Sequence, residues 1–92
     1  MRVQEYELYD GSKGQILRLP RDAKVAGVRG NPESALSIGC LIVLEPEDIY
    51  GGKKEERLFF TAYTGEDVTP YSGYIGTIAS NGVSFHVFEA EI

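Results

Sequence analysis

Ninety-two residues are enough for one domain built around one hydrophobic core, and too few for a second. The 42% of hydrophobic residues can supply that core, while a formal charge of −5, from 14 acidic and 9 basic side chains, argues against general binding to duplex nucleic acid. A single cysteine, Cys40, excludes an intramolecular disulfide, and no apolar run approaches the roughly 20 residues of a membrane-spanning helix.

Gly, Pro, Asn and Asp recur along the chain at intervals that punctuate short strands rather than helices. The spacing predicts strands over Val3–Tyr9, Gln15–Leu19, Lys24–Arg29, Ala35–Leu44, Arg57–Thr64, Tyr74–Ser80 and Val83–Glu91. In the first, Tyr6 and Leu8 alternate with Glu5 and Glu7, which gives one dry and one wet face. In the second, Leu17 and Leu19 face the core and Arg18 points outward. The Gly11-Ser12-Lys13-Gly14 string between these two strands reads as a hairpin turn, because it lacks the spacing of a phosphate loop and precedes a strand. From Leu36 to Leu44 almost every residue is apolar, as in a strand covered on both faces in the middle of a sandwich or barrel; Cys40 falls here and reads as a buried, reduced thiol. Only Pro46 to Tyr50 suits a helical turn, and Gly51-Gly52 would end it.

The clearest local signal is Asn81-Gly82, which suits the two positive φ values of a type I′ hairpin turn. A two-residue loop places Ser80 opposite Val83, Ile78 opposite Phe85, Thr77 opposite His86, Gly76 opposite Val87 and Ile75 opposite Phe88. Gly76, Ile78, Phe85 and Val87 then form a core face, and Ile75, Thr77, His86 and Phe88 form a mixed face suited to an oligomer interface. The fold class that follows is all-β: one domain over residues 1–92, a compact antiparallel β-sandwich or partly open barrel of six to seven short strands.

Three segments carry a family resemblance: Leu17-Arg18-Leu19-Pro20-Arg21-Asp22-Ala23-Lys24-Val25, Tyr74-Ile75-Gly76-Thr77-Ile78 and Phe85-His86-Val87-Phe88-Glu89. The chain resembles an uncharacterised family of small phage and prophage proteins, a domain of unknown function, over nearly its whole length. It departs from that family in having Gly39-Cys40-Leu41-Ile42-Val43 where a Trp is expected in the central strand. The resemblance implies phage origin and a compact fold, and it brings no catalytic residues.

Arg18, Arg21, Lys24 and Arg29 gather within a short basic stretch of an otherwise acidic chain, and Arg offers paired donors to phosphate. Tyr63, Tyr71 and Tyr74 cluster around the segment Gly65 to Gly73, where tyrosine supplies rigid contact area for a partner or a stacking surface for a base. The acid pairs Glu55-Glu56 and Glu66-Asp67 fall in predicted loops and form a second candidate contact surface. His86 is the only histidine and lies far from the only cysteine, so no metal site and no cofactor are expected, and His86 is expected to bond a neighbour such as Thr77. No nucleophile elbow is present, so an enzyme is not expected.

Together these features predict a phage-encoded accessory binding protein that modulates or inhibits a host defence component by protein contact. The alternative is a sponge for a cyclic-nucleotide-type or ADP-ribose-derived immune signal. Either version is expected in the host cytoplasm, since no secretion signal opens the sequence, and as a homo-oligomer, since so small a core gains from added burial.

Overall fold

A computed structural model describes residues 1–9, 14–30, 37–47, 52–69 and 72–90. These residues form seven strands and no helix: β1 (Arg2–Leu8), β2 (Gln15–Pro20), β3 (Lys24–Gly30), β4 (Gly39–Glu45), β5 (Lys54–Tyr63), β6 (Ser72–Ser80) and β7 (Val83–Ala90). They pair antiparallel in two sheets, a three-stranded one of order β1-β4-β3 and a four-stranded one of order β2-β5-β7-β6. The sheets do not close into a barrel. The architecture is an open β-sandwich in which β3 packs beside β6.

Period-2 alternation explains the core. Leu8, Leu19, Leu41, Val43, Phe59, Ile78, Phe85 and Val87 point inward from both sheets and are buried, each worth about 1.5–3 kcal/mol of apolar transfer. Tyr6, Leu17, Val25, Val28 and Ile75 pack around this cluster. The apolar run near residue 40 is the central strand of the three-stranded sheet, as its composition predicts. Cys40 is buried there on the sheet's other side, between Glu7 of β1 and Arg29 of β3.

Two boundaries differ from the sequence reading by more than two residues. The fourth strand starts at Gly39, with Ser37 and Ile38 leading into it and residues 35–36 outside the described residues. The fifth starts at Lys54, so Glu55 and Glu56 are strand residues rather than loop residues. Pairing with β2 draws them in, Glu55 opposite Leu19 and Glu56 opposite Arg18. The turn expected over residues 11–14 and the helical turn expected over 46–50 fall largely outside the described residues.

The Asn81-Gly82 hairpin forms with φ of 51° and 77°, and Ser80↔Val83, Ile78↔Phe85, Thr77↔His86 and Gly76↔Val87 pair as the turn dictates. The expected Ile75 to Phe88 pairing does not form. The register shifts between Tyr74 and Gly76, so Tyr74 pairs with Phe88, and the extra residue, Ile75, packs against the core. Thus Ile75 leaves the mixed outer face and Tyr74 takes its place.

Candidate functional site

The β5–β6 connection is built as a tethered turn. The Glu66 N–H donates to the Tyr63 carbonyl at 3.1 Å, and the Glu66 carboxylate accepts from the Tyr63 N–H at 2.7 Å. Gly65 supplies the positive φ, 96°, that reverses the chain. Thr64 Oγ1 lies 2.7 Å from His86 Nε2, which ties the turn to β7. On the β6 side the Ser72 N–H donates to the Thr69 carbonyl at 3.2 Å, and the two hydroxyls lie 2.9 Å apart. Every residue from Tyr63 to Thr69 is nevertheless solvent-exposed. The segment therefore presents Tyr63, which rests tilted on Phe85 with ring centroids 5.5 Å apart, together with Glu66, Asp67 and Val68. Tyr71 lies outside the described residues.

Beside this turn runs the outer face of the four-stranded sheet. Phe60 stacks on Phe88 at 5.4 Å, and Tyr74 meets Phe88 edge to face at 5.6 Å. His86 stands in the same face, with Thr77 Oγ1 2.9 Å from Nδ1 and Thr64 Oγ1 2.7 Å from Nε2; the Tyr74 hydroxyl adds a bond to Thr77 at 2.6 Å. Both ring nitrogens thus have partners, including the Thr77 expected from the hairpin register. Phe60 was not singled out in the sequence, although the consecutive pair Phe59-Phe60 signals it: two neighbours in one strand must point to opposite faces.

The cations separate. Arg18 lies on the outer face of the four-stranded sheet opposite Glu56, whereas Lys24 and Arg29 lie on the three-stranded sheet. Arg29 makes an ion pair with Glu5 through Nε and donates from Nη1 to the Gly30 carbonyl at 2.9 Å. Arg21 sits in the β2–β3 turn, where its N–H donates to the Lys53 carbonyl at 3.1 Å, and it lines an open cleft of about 340 Å³ with Asp22, Glu47 and Lys53. Among the described residues, two cations and two anions balance within that cleft. Arg18 and Tyr74 occupy the two edge strands of their sheet, three strand spacings of about 4.8 Å apart before any offset along the strands. Arg18 and Tyr74 therefore do not share one phosphate-and-base pocket.

Among the described residues, no three His, Cys, Asp or Glu side chains gather as a metal ion would require, and no helix is long and apolar enough to cross a membrane. Comparison of the chain with family models, with curated proteins and with solved structures finds no match.

Proposed function

We propose that this is a phage-encoded accessory binding protein that acts on a host defence protein by direct contact, with the Tyr63–Thr69 turn as its contact surface. One observation carries the reading: every residue of the turn is exposed to solvent, and yet the turn is tied down at both ends by hydrogen bonds. A preorganised surface loses little conformational freedom on binding, so more of its contact energy appears as affinity. Tyr63 and Val68 offer apolar area, and Glu66 and Asp67 frame it with negative charge, which fits a partner surface with an apolar centre and a basic rim. The dispersal of Arg18, Arg21, Lys24 and Arg29 over two sheets and a turn makes the nucleotide-sponge alternative the weaker one.

The test is affinity capture from bacterial lysate with the wild-type protein, Tyr63→Ala and Asp67→Lys in parallel. A captured protein should bind the wild type stoichiometrically and lose roughly tenfold or more in affinity to each variant. Capture indifferent to both substitutions would reject the turn as the contact surface. Calorimetric heat with cyclic dinucleotides or ADP-ribose isomers, abolished by Arg18→Ala with Arg21→Ala, would replace this reading with the sponge.

A further inference from the structure

We propose that the outer face of the four-stranded sheet is a self-association surface, on which two copies of the chain pack face to face about a two-fold axis.

The two sheets differ in what they turn outward. The three-stranded sheet turns Val3, Ile42 and Leu44 outward, but Lys24, Glu5, Glu7 and Arg29 stand among them, with at least one charge in every cross-strand row. The four-stranded sheet presents Ile16, Leu58, Phe60, Tyr74 and Phe88, with Ile16 and Tyr74 61% and 60% exposed. Its outward strand positions hold only three charged residues among those described, Arg18, Lys54 and Glu56, all at the β2–β5 corner. Two cations and one anion leave this face near neutrality in a chain whose formal charge is −5. Two acidic molecules can meet through it without setting acid against acid, and with its charges at one corner the apolar stripe from Leu58 and Phe60 to Phe88 and Tyr74 is left clear, which the charges in every row of the other sheet do not allow.

The polar groups on the face point the same way. His86 has a partner on each ring nitrogen, and the Tyr74 hydroxyl is bonded to Thr77. A second apolar surface can cover the face without stripping these groups of hydrogen bonds, the usual cost of burying polar side chains. Another copy of this same face is such a surface, and a two-fold axis makes it self-complementary. The size suffices as well. Four strands about 4.8 Å apart and about seven residues long span roughly 20 by 23 Å, and with side-chain relief two such faces reach the lower end of the about 1,200–2,000 Å² of a standard interface.

Sedimentation velocity over a concentration series tests this. The mass should rise from the 10.1 kDa of one chain toward twice that value. Tyr74→Lys and Ile16→Lys replace exposed side chains, so folding survives, and each should weaken association by roughly tenfold or more. Val3→Lys, at a site 62% exposed on the other sheet, should leave it unchanged. A single-chain mass throughout the micromolar range would overturn the proposal, as would a dimer indifferent to both Tyr74→Lys and Ile16→Lys. Neither result bears on target binding by the Tyr63–Thr69 turn, which Asp67→Lys tests without touching this face.

Discussion

Gly76 and Val28 meet where the two sheets come together: a Cβ built on the glycine would lie 2.8 Å from Val28 Cγ2. The approach of β6 to β3 depends on that missing atom, and the register shift at Ile75 lies immediately before it. Gly76→Ala should therefore destabilise the fold by about 1–3 kcal/mol, the cost of overpacking a well-filled contact. Gly27→Ala is the control, because a Cβ there meets nothing within 4 Å, and it should change stability by no more than about 0.5 kcal/mol. Urea denaturation of the two variants beside the wild type measures both.

Arg57 should be the most costly charged side chain to remove. Its Nε and Nη2 donate to the two Glu89 oxygens at 2.6 and 2.7 Å, and its Nη1 donates to the Ala23 carbonyl at 2.9 Å. The pair is largely shielded, with 18% and 26% of the two side chains exposed. Arg57→Ala should cost about 2 kcal/mol, between the values for surface and fully buried pairs. Arg57→Lys should recover less than half of it, because an ammonium cannot bond both carboxylate oxygens and the carbonyl in the same planar geometry. A double-mutant cycle with Glu89→Gln isolates the coupling.

Tyr6 should make stability depend on alkaline pH. Burial first, and then the hydrogen bond and charge of Glu45, push its phenol up to about 12 from an ordinary value of 10.0. Between those values the unfolded chain gives up the proton that the folded chain keeps. The stabilisation is therefore complete below about pH 10 and is lost as pH rises through about 12. Denaturation midpoints should fall across that window in the wild type and fall less in Tyr6→Phe. Phenolate absorbance of the folded protein should show a late-titrating tyrosine that Tyr6→Phe removes.

Cys40 should report local opening on the outer face of the three-stranded sheet. Burial pushes its thiol up, Arg29 opposes that shift, and Glu5 and Glu7 add to it, so little reactive thiolate is present at neutral pH. A maleimide should label the native protein slowly and the urea-unfolded protein rapidly. Fast native labelling would show that the cover over Cys40 on the outer face of this sheet opens without global unfolding.

The strands were legible because short-range patterns set them. Alternation in β1 and β2, the apolar run of β4 and the Asn81-Gly82 turn each act within a few residues. The hairpin register also follows from its turn, down to Gly76↔Val87. It fails at Ile75, where the register shifts beside the contact with β3, a segment nearly fifty residues earlier in the sequence that no local pattern reports. The basic stretch divides between the sheets for a related reason. Arg18 and Lys24 are six positions apart in the sequence, but the turn at Arg21-Asp22 carries the chain from one sheet to the other. Neighbours along the sequence thereby become residents of different layers. Tyr74 and Phe60 come together only because β7 lies between their strands and Phe88 touches both.

That strand order has a consequence for how the chain acquires its structure during synthesis. β7 spans Val83–Ala90 and occupies an interior position of the four-stranded sheet, with β5 on one side and β6 on the other. Until those residues leave the ribosome, β2 and β5 form at most a two-stranded ribbon with an open inner edge, and β6 has no neighbour in its own sheet. Isolated two-stranded ribbons are marginal in water. The domain must therefore complete its fold after most of it has been made, and while it waits the exposed edge of β5, with Phe59 and Phe60 on it, is open to pairing with other nascent chains.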